Sequence, residues 1–162
     1  MATLQGTDLL ESSLAAYQRR YGEPMPIDAV GLHCYLTGNA PPEWAQPEEV
    51  SVQAYGRKIR AMRQFMKRVG LQDTALVITE MGVFNHCCDP PLSDTQLISI
   101  MEGAIELMEG PQGIDKELGM PSDGFRLVQK WSYSAYSHLV QNGALTAMGQ
   151  AYRRAIERWC TK

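Results

Sequence analysis

At 162 residues, with 44% hydrophobic and 20% charged side chains, the chain can build one domain with a sizeable core but not two large ones. A formal net charge of −3 provides no electrostatic footprint for a phosphate backbone, and no stretch reaches the ~20 apolar residues of a membrane span, so neither nucleic acid nor membrane is expected as a partner. The start Met1-Ala2-Thr3-Leu4-Gln5-Gly6 lacks the basic residues and apolar core of a signal peptide, which points to the cytoplasm if the chain is complete.

The first helix is expected from a cap at Thr7, with Leu10, Leu14, Tyr17 and Tyr21 at helical spacing and Gly22 and Pro24 ending it. Residues 27–35, Ile27-Asp28-Ala29-Val30-Gly31-Leu32-His33-Cys34-Tyr35, are short and mostly apolar and read as a buried strand. A long loop with Asn39, Pro41, Pro42, Trp44 and Pro47 leads to a helix over 50–69. Its stripe is Val52, Tyr55, Ile59, Met62, Met66 and Val69, and its basic residues, Arg63 among them, are expected on a solvated face.

The run Leu76-Val77-Ile78-Thr79-Glu80-Met81-Gly82 is apolar enough for a strand buried on both faces, and it ends on one carboxylate. Ser93-x-x-Gln96 has the form of a capping box for a third long helix. A third strand is expected over 125–131, from Phe125 to Trp131, followed by a last helix carrying Met148, Tyr152, Ala155, Ile156 and Trp159 on one face.

Strands alternating with helices, and starting roughly fifty residues apart, define a single α/β domain over 1–162 with parallel strands. The strand-to-helix loops are long and polar, as at the ligand-binding end of such folds. Candidate site residues therefore stand at the strand ends: His33 and Tyr35, then Glu80, then Trp131 and Tyr133. The run His86-Cys87-Cys88-Asp89 has ligand-type side chains without Cys-x-x-Cys spacing, and the scattered cysteines do not form a disulfide framework. No metal and no cofactor is expected.

Three segments, Asp28-Ala29-Val30-Gly31-Leu32-His33-x-Tyr35, Ile78-Thr79-Glu80-Met81-Gly82-Val83 and Gln129-Lys130-Trp131-Ser132-Tyr133, resemble strands 6, 7 and 8 of a retaining (β/α)8-barrel glycoside hydrolase. The superfamily concerned carries its catalytic glutamates on strands 4 and 7. Leu145-Thr146-Ala147-Met148-Gly149-Gln150-Ala151-Tyr152 is similar to the start of its last helix. The resemblance implies a partial TIM barrel and a β-linked carbohydrate substrate, with Glu80 as nucleophile, His33 or Tyr35 bonded to it, Trp131 as the floor of a sugar subsite and Trp44 as an outer platform. Tyr133 belongs to the same group of substrate-side candidates. The plainer readings are a Glu80 that pairs with an arginine or caps a helix, and a Trp131 that packs in the core.

The family's acid/base follows an asparagine, and here Asn39, Asn85 and Asn142 precede Ala40, His86 and Gly143, so no Asn-Glu pair exists. A complete barrel typically takes about 250 residues, and three strands cannot close one. The expectation is a barrel fragment that forms a homo-oligomer or joins a complementary barrel half. The competing expectation is a non-catalytic carbohydrate-binding or interaction module derived from such a barrel. An unrelated parallel α/β protein is indicated if Glu80, His33 and Trp131 fall on different faces.

Overall fold

The computed structural model describes residues 6–36, 50–83, 90–134 and 136–160, the side chains of 136, 137 and 160 excepted. In chain order the elements are α1 (Thr7–Tyr21), β1 (Ala29–Leu36), α2 (Val52–Arg68), β2 (Ala75–Val83), α3 (Asp94–Glu109), β3 (Lys130–Tyr133), α4 (Tyr136–Leu139), β4 (Val140–Gln141), β5 (Ala144–Leu145) and α5 (Ala147–Cys160). The strands β1, β2 and β3 form one parallel sheet in that order, alternating with helices, and β4 and β5 pair as a small antiparallel hairpin.

Local chemistry accounts for the helix ends. Ser51 caps α2, its side chain accepting the Ala54 N–H at 3.2 Å, and Lys67 and Arg68 close it where cations favour the dipole. Ser93 and Gln96 form both bonds of the capping box on α3. The α1 cap differs from expectation: Thr7 is the first helical residue, and the cap is Gly6 at φ 96°, a left-handed conformation open to glycine. Gly22, at φ 76°, ends the same helix by returning its N–H to Gln18 O.

One face of the sheet carries the core. Val30, Leu32, Cys34 and Leu36 of β1 and Leu76, Ile78 and Met81 of β2 are buried against Tyr55, Ile59, Met62 and Met66 of α2 and Met101, Ile105 and Met108 of α3. Each large apolar side chain buried there contributes about 1.5–3 kcal/mol. The opposite face is open. Gly31, His33 and Thr79 are exposed and Val77 is half-buried, so β2 is not buried on both faces as its composition implied. Among the described residues the helices form a layer on a single side, and period-2 alternation turns every second side chain to the other, where it is exposed or half-buried.

Two further expectations change. Residues 125–129 are not strand, because Phe125 is held at φ 64° with its carbonyl bonded to Asp115 N–H, and β3 starts only at Lys130. Arg63 is fully buried rather than solvated, since helical spacing sets it on the same face as Ile59 and Met66. Among the described residues, no helix is long and apolar enough to cross a membrane. A cavity of about 290 Å³ opens between α1 and the amino end of β1, lined by Thr7, Leu10, Ile27, Gly31 and Met62.

Candidate functional site

The site begins with a register shift. β1 and β2 pair regularly from Ala29 opposite Ala75 to Leu32 opposite Ile78, and then His33 pairs with Glu80, leaving Thr79 as the extra residue of a bulge. Strict alternation from buried Ile78 would turn Glu80 toward the helices. The bulge instead keeps Thr79 and Glu80 both on the open face and returns Met81 to the core opposite Cys34.

Two strands and the residue after the third then meet at the Tyr35 hydroxyl. The Tyr35 hydroxyl, from β1, donates to Glu80 Oε2 at 2.8 Å. The Tyr35 oxygen lies 2.5 Å from Oγ of Ser134, the residue after β3. Ser134 is in turn anchored by its N–H to Met81 O at 3.1 Å, with its Oγ 3.2 Å from the same carbonyl. Nδ1 of His33 stands 3.6 Å from Glu80 Oε2, beyond hydrogen-bond reach but within ion-pair distance when the imidazole is protonated. The His33 and Glu80 side chains are 64% and 42% exposed, so the carboxylate faces solvent. The Tyr35 phenol is held above the ordinary tyrosine range, first by burial; the Ser134 contact pulls it down and the Glu80 carboxylate pushes it up.

The helix α2 fixes the ends of these strands. The Tyr55 hydroxyl donates to Gly82 O at 2.7 Å, and Lys58 Nζ donates to Tyr35 O at 2.5 Å. Lys58 therefore has a strand-end carbonyl as partner, where the sequence pattern placed it among solvated basic residues.

His33, Tyr35 and Glu80 are thus brought together, and Trp131 and Tyr133 are not. Trp131 lies opposite Ile78 on the helix-covered side. Its Nε1 donates to Glu109 Oε1 at 2.7 Å, and its ring meets Tyr152 edge-on with centroids 6.2 Å apart. Tyr133 is buried opposite Met81 with its hydroxyl against Met148 Sδ at 3.8 Å, and burial pushes its phenol far up. Neither ring forms a floor on the open face, because the register of β3 sets both beside the core-facing Ile78 and Met81. Trp44 and His86-Cys87-Cys88-Asp89 lie outside the described residues.

Ser134 is the site residue that the sequence reading missed. Its signal is the polar alternation Lys130-x-Ser132-x-Ser134, which marks the open face of β3 and its exit. Among the described residues, no group of three His, Cys, Asp or Glu side chains could hold a metal ion. Chemically, the arrangement is a solvent-facing carboxylate with one phenol donor, able to attack an electrophilic carbon or to accept a hydrogen bond. Comparison with protein-family models, curated proteins and solved structures gives no match to this chain.

Proposed function

We propose that this chain is the carboxyl-terminal part of a retaining (β/α)8-barrel glycoside hydrolase acting on β-linked carbohydrate, with Glu80 as nucleophile. The observation that carries the reading is the Tyr35 phenol donating to Glu80 on the open face, three residues before the central strand ends. Such a donor fixes the direction of attack. The one-sided helix layer also favours the reading, since doubly wound sheets are covered on both faces whereas barrel strands carry helices outside only.

In the first step a Glu80 oxygen bonds to the anomeric carbon as the bond to the leaving oxygen breaks, giving a glycosyl ester that water then hydrolyses. The proton for an ordinary leaving group comes from a second carboxyl group about 5–5.5 Å from the first. The proposal assigns that acid to another polypeptide or another copy of this chain, which also covers the free edges of β1 and β3.

A fluorinated β-glycoside with a dinitrophenolate leaving group tests Glu80 without needing the acid, because that group departs as a stable anion. Peptide mapping should find a glycosyl adduct on Glu80, and Glu80→Gln should abolish it while leaving the circular dichroism unchanged. Saccharide binding without any adduct would replace this reading with a carbohydrate-binding module. A second reading, an unrelated parallel α/β protein, draws on the placement of Trp131 away from Glu80. It predicts neither an adduct nor saccharide binding.

A further inference from the structure

Counting protons along the oxygens of Glu80, Tyr35 and Ser134 gives Ser134 a definite part. Tyr35 has one hydroxyl proton, and the bond to Glu80 at 2.8 Å uses it. The Ser134 proton has two acceptors in reach: the phenol oxygen at 2.5 Å, and Met81 O at 3.2 Å, which already receives the Ser134 N–H at 3.1 Å. The phenol oxygen is the nearer of the two, and a phenol that donates its proton can still accept one. The opposite direction, phenol to serine, would set the phenol lone pairs against a charged carboxylate oxygen.

We propose that Ser134 is a positioning residue for Glu80, donating to the Tyr35 oxygen and so keeping the one phenol proton directed at the carboxylate. The inference deepens the nucleophile reading and rests on it, since a carboxylate that attacks needs its charge and direction held. It also explains how the chain accommodates the ester. Once the Glu80 charge is lost, the phenol can donate to Ser134 and Ser134 to Met81 O, and the count stays at two hydrogen bonds. Among the described residues, the charged and titratable groups around Tyr35 are Glu80 on β2, His33 on its own strand, Tyr133 on β3, and Lys58 of α2 on its carbonyl.

The test follows the Tyr35 phenol by tyrosine ring-carbon NMR through an alkaline titration, the resonance being identified by its absence in Tyr35→Phe. Ser134→Ala removes a donor to the phenolate, so the midpoint should rise by about one pH unit. Ser134→Thr should restore it, and Ser134→Cys, a weaker donor of similar size, should lie between. Rates of Glu80 labelling should fall about tenfold in Ser134→Ala and recover in Ser134→Thr. A midpoint that stays put or falls in Ser134→Ala overturns the proposal, with Ser134→Cys giving the answer if the alanine variant does not fold. The titration uses no substrate, so loss of Glu80 labelling in the native chain removes the nucleophile reading separately.

Discussion

Arg63 shows how a helical stripe can enclose a cation. Its guanidinium donates to Leu127 O at 2.6 Å, Thr74 O at 3.0 Å, Gln72 O at 3.4 Å and Gln129 Oε1 at 2.5 Å, tying α2 to the amino ends of β2 and β3. Burial lowers its pKa to about 10, so it remains charged at neutral pH and its carbonyl partners carry the compensation. Arg63→Met keeps the volume and strands those carbonyls, and should cost about 3–5 kcal/mol in urea unfolding. A loss within the scatter of surface substitutions would show that the carbonyls find other donors. The contrast with Glu80 is instructive. A carboxylate ending an apolar run stands out in the sequence, and so do His33 and Tyr35 two residues apart on the neighbouring strand. Arg63 does not, because the rule that cations lie outside is statistical and the 3.6-residue period places this one inside.

At the scale of elements, the four long helices are legible from their stripes, and α3 also from its capping box, whereas β3 starts later than its pattern implies because nothing in Gly124-Phe125 announces that both residues take positive φ, 61° and 64°. The hairpin β4–β5 has the opposite history. Its Asn142-Gly143 turn, at φ 51° and 77°, is the strongest short-range hairpin signal there is, and it joins strands of only two residues each. The bulge at Thr79 has no sequence signature, yet it decides the side on which Glu80 emerges. The helix α1 is attached least firmly. None of its residues is fully buried, and Arg68 of α2 grips Glu11 through two bonds of 2.5 and 3.0 Å. The Arg68 hydrogen bond holds the Glu11 carboxyl below its ordinary value of 4.5. A depressed acid contributes stability above its free value and loses it as pH falls through the lower, folded value. Amide exchange in α1 should therefore accelerate below pH 4.5 relative to α3, and Arg68→Gln should remove that pH dependence. Equal acceleration in both helices would show that the pair does not anchor α1.

For the whole molecule, the single helix layer of the described residues leaves the other sheet face and the outer edges of β1 and β3 without a covering element among them. The β1 strand, Ala-Val-Gly-Leu-His-Cys-Tyr-Leu, has no lysine, acid or proline to blunt its edge. Under the proposed function these surfaces are covered by another copy or a barrel half, so the sedimentation mass of the isolated chain should rise with concentration. A constant monomer mass would rule out self-association and leave the complementary half. The α/β alternation was legible because each element carries its own period, but which face stays open depends on contacts between elements distant in sequence. The hydrogen-bonded trio has the same dependence in time. Tyr35 is 45 residues from Glu80 and 99 from Ser134, so completing it means closing a loop longer than any strand pairing of the sheet spans. Helices form on local contacts and strand pairs follow, which makes the Ser134 bond a late event of folding. During synthesis the Tyr35–Glu80 pair can form as soon as β2 has emerged, and the third oxygen joins only when β3 docks in register. A chain with β3 slipped by one residue would keep its helices and much of its core, yet leave the phenol without its second partner.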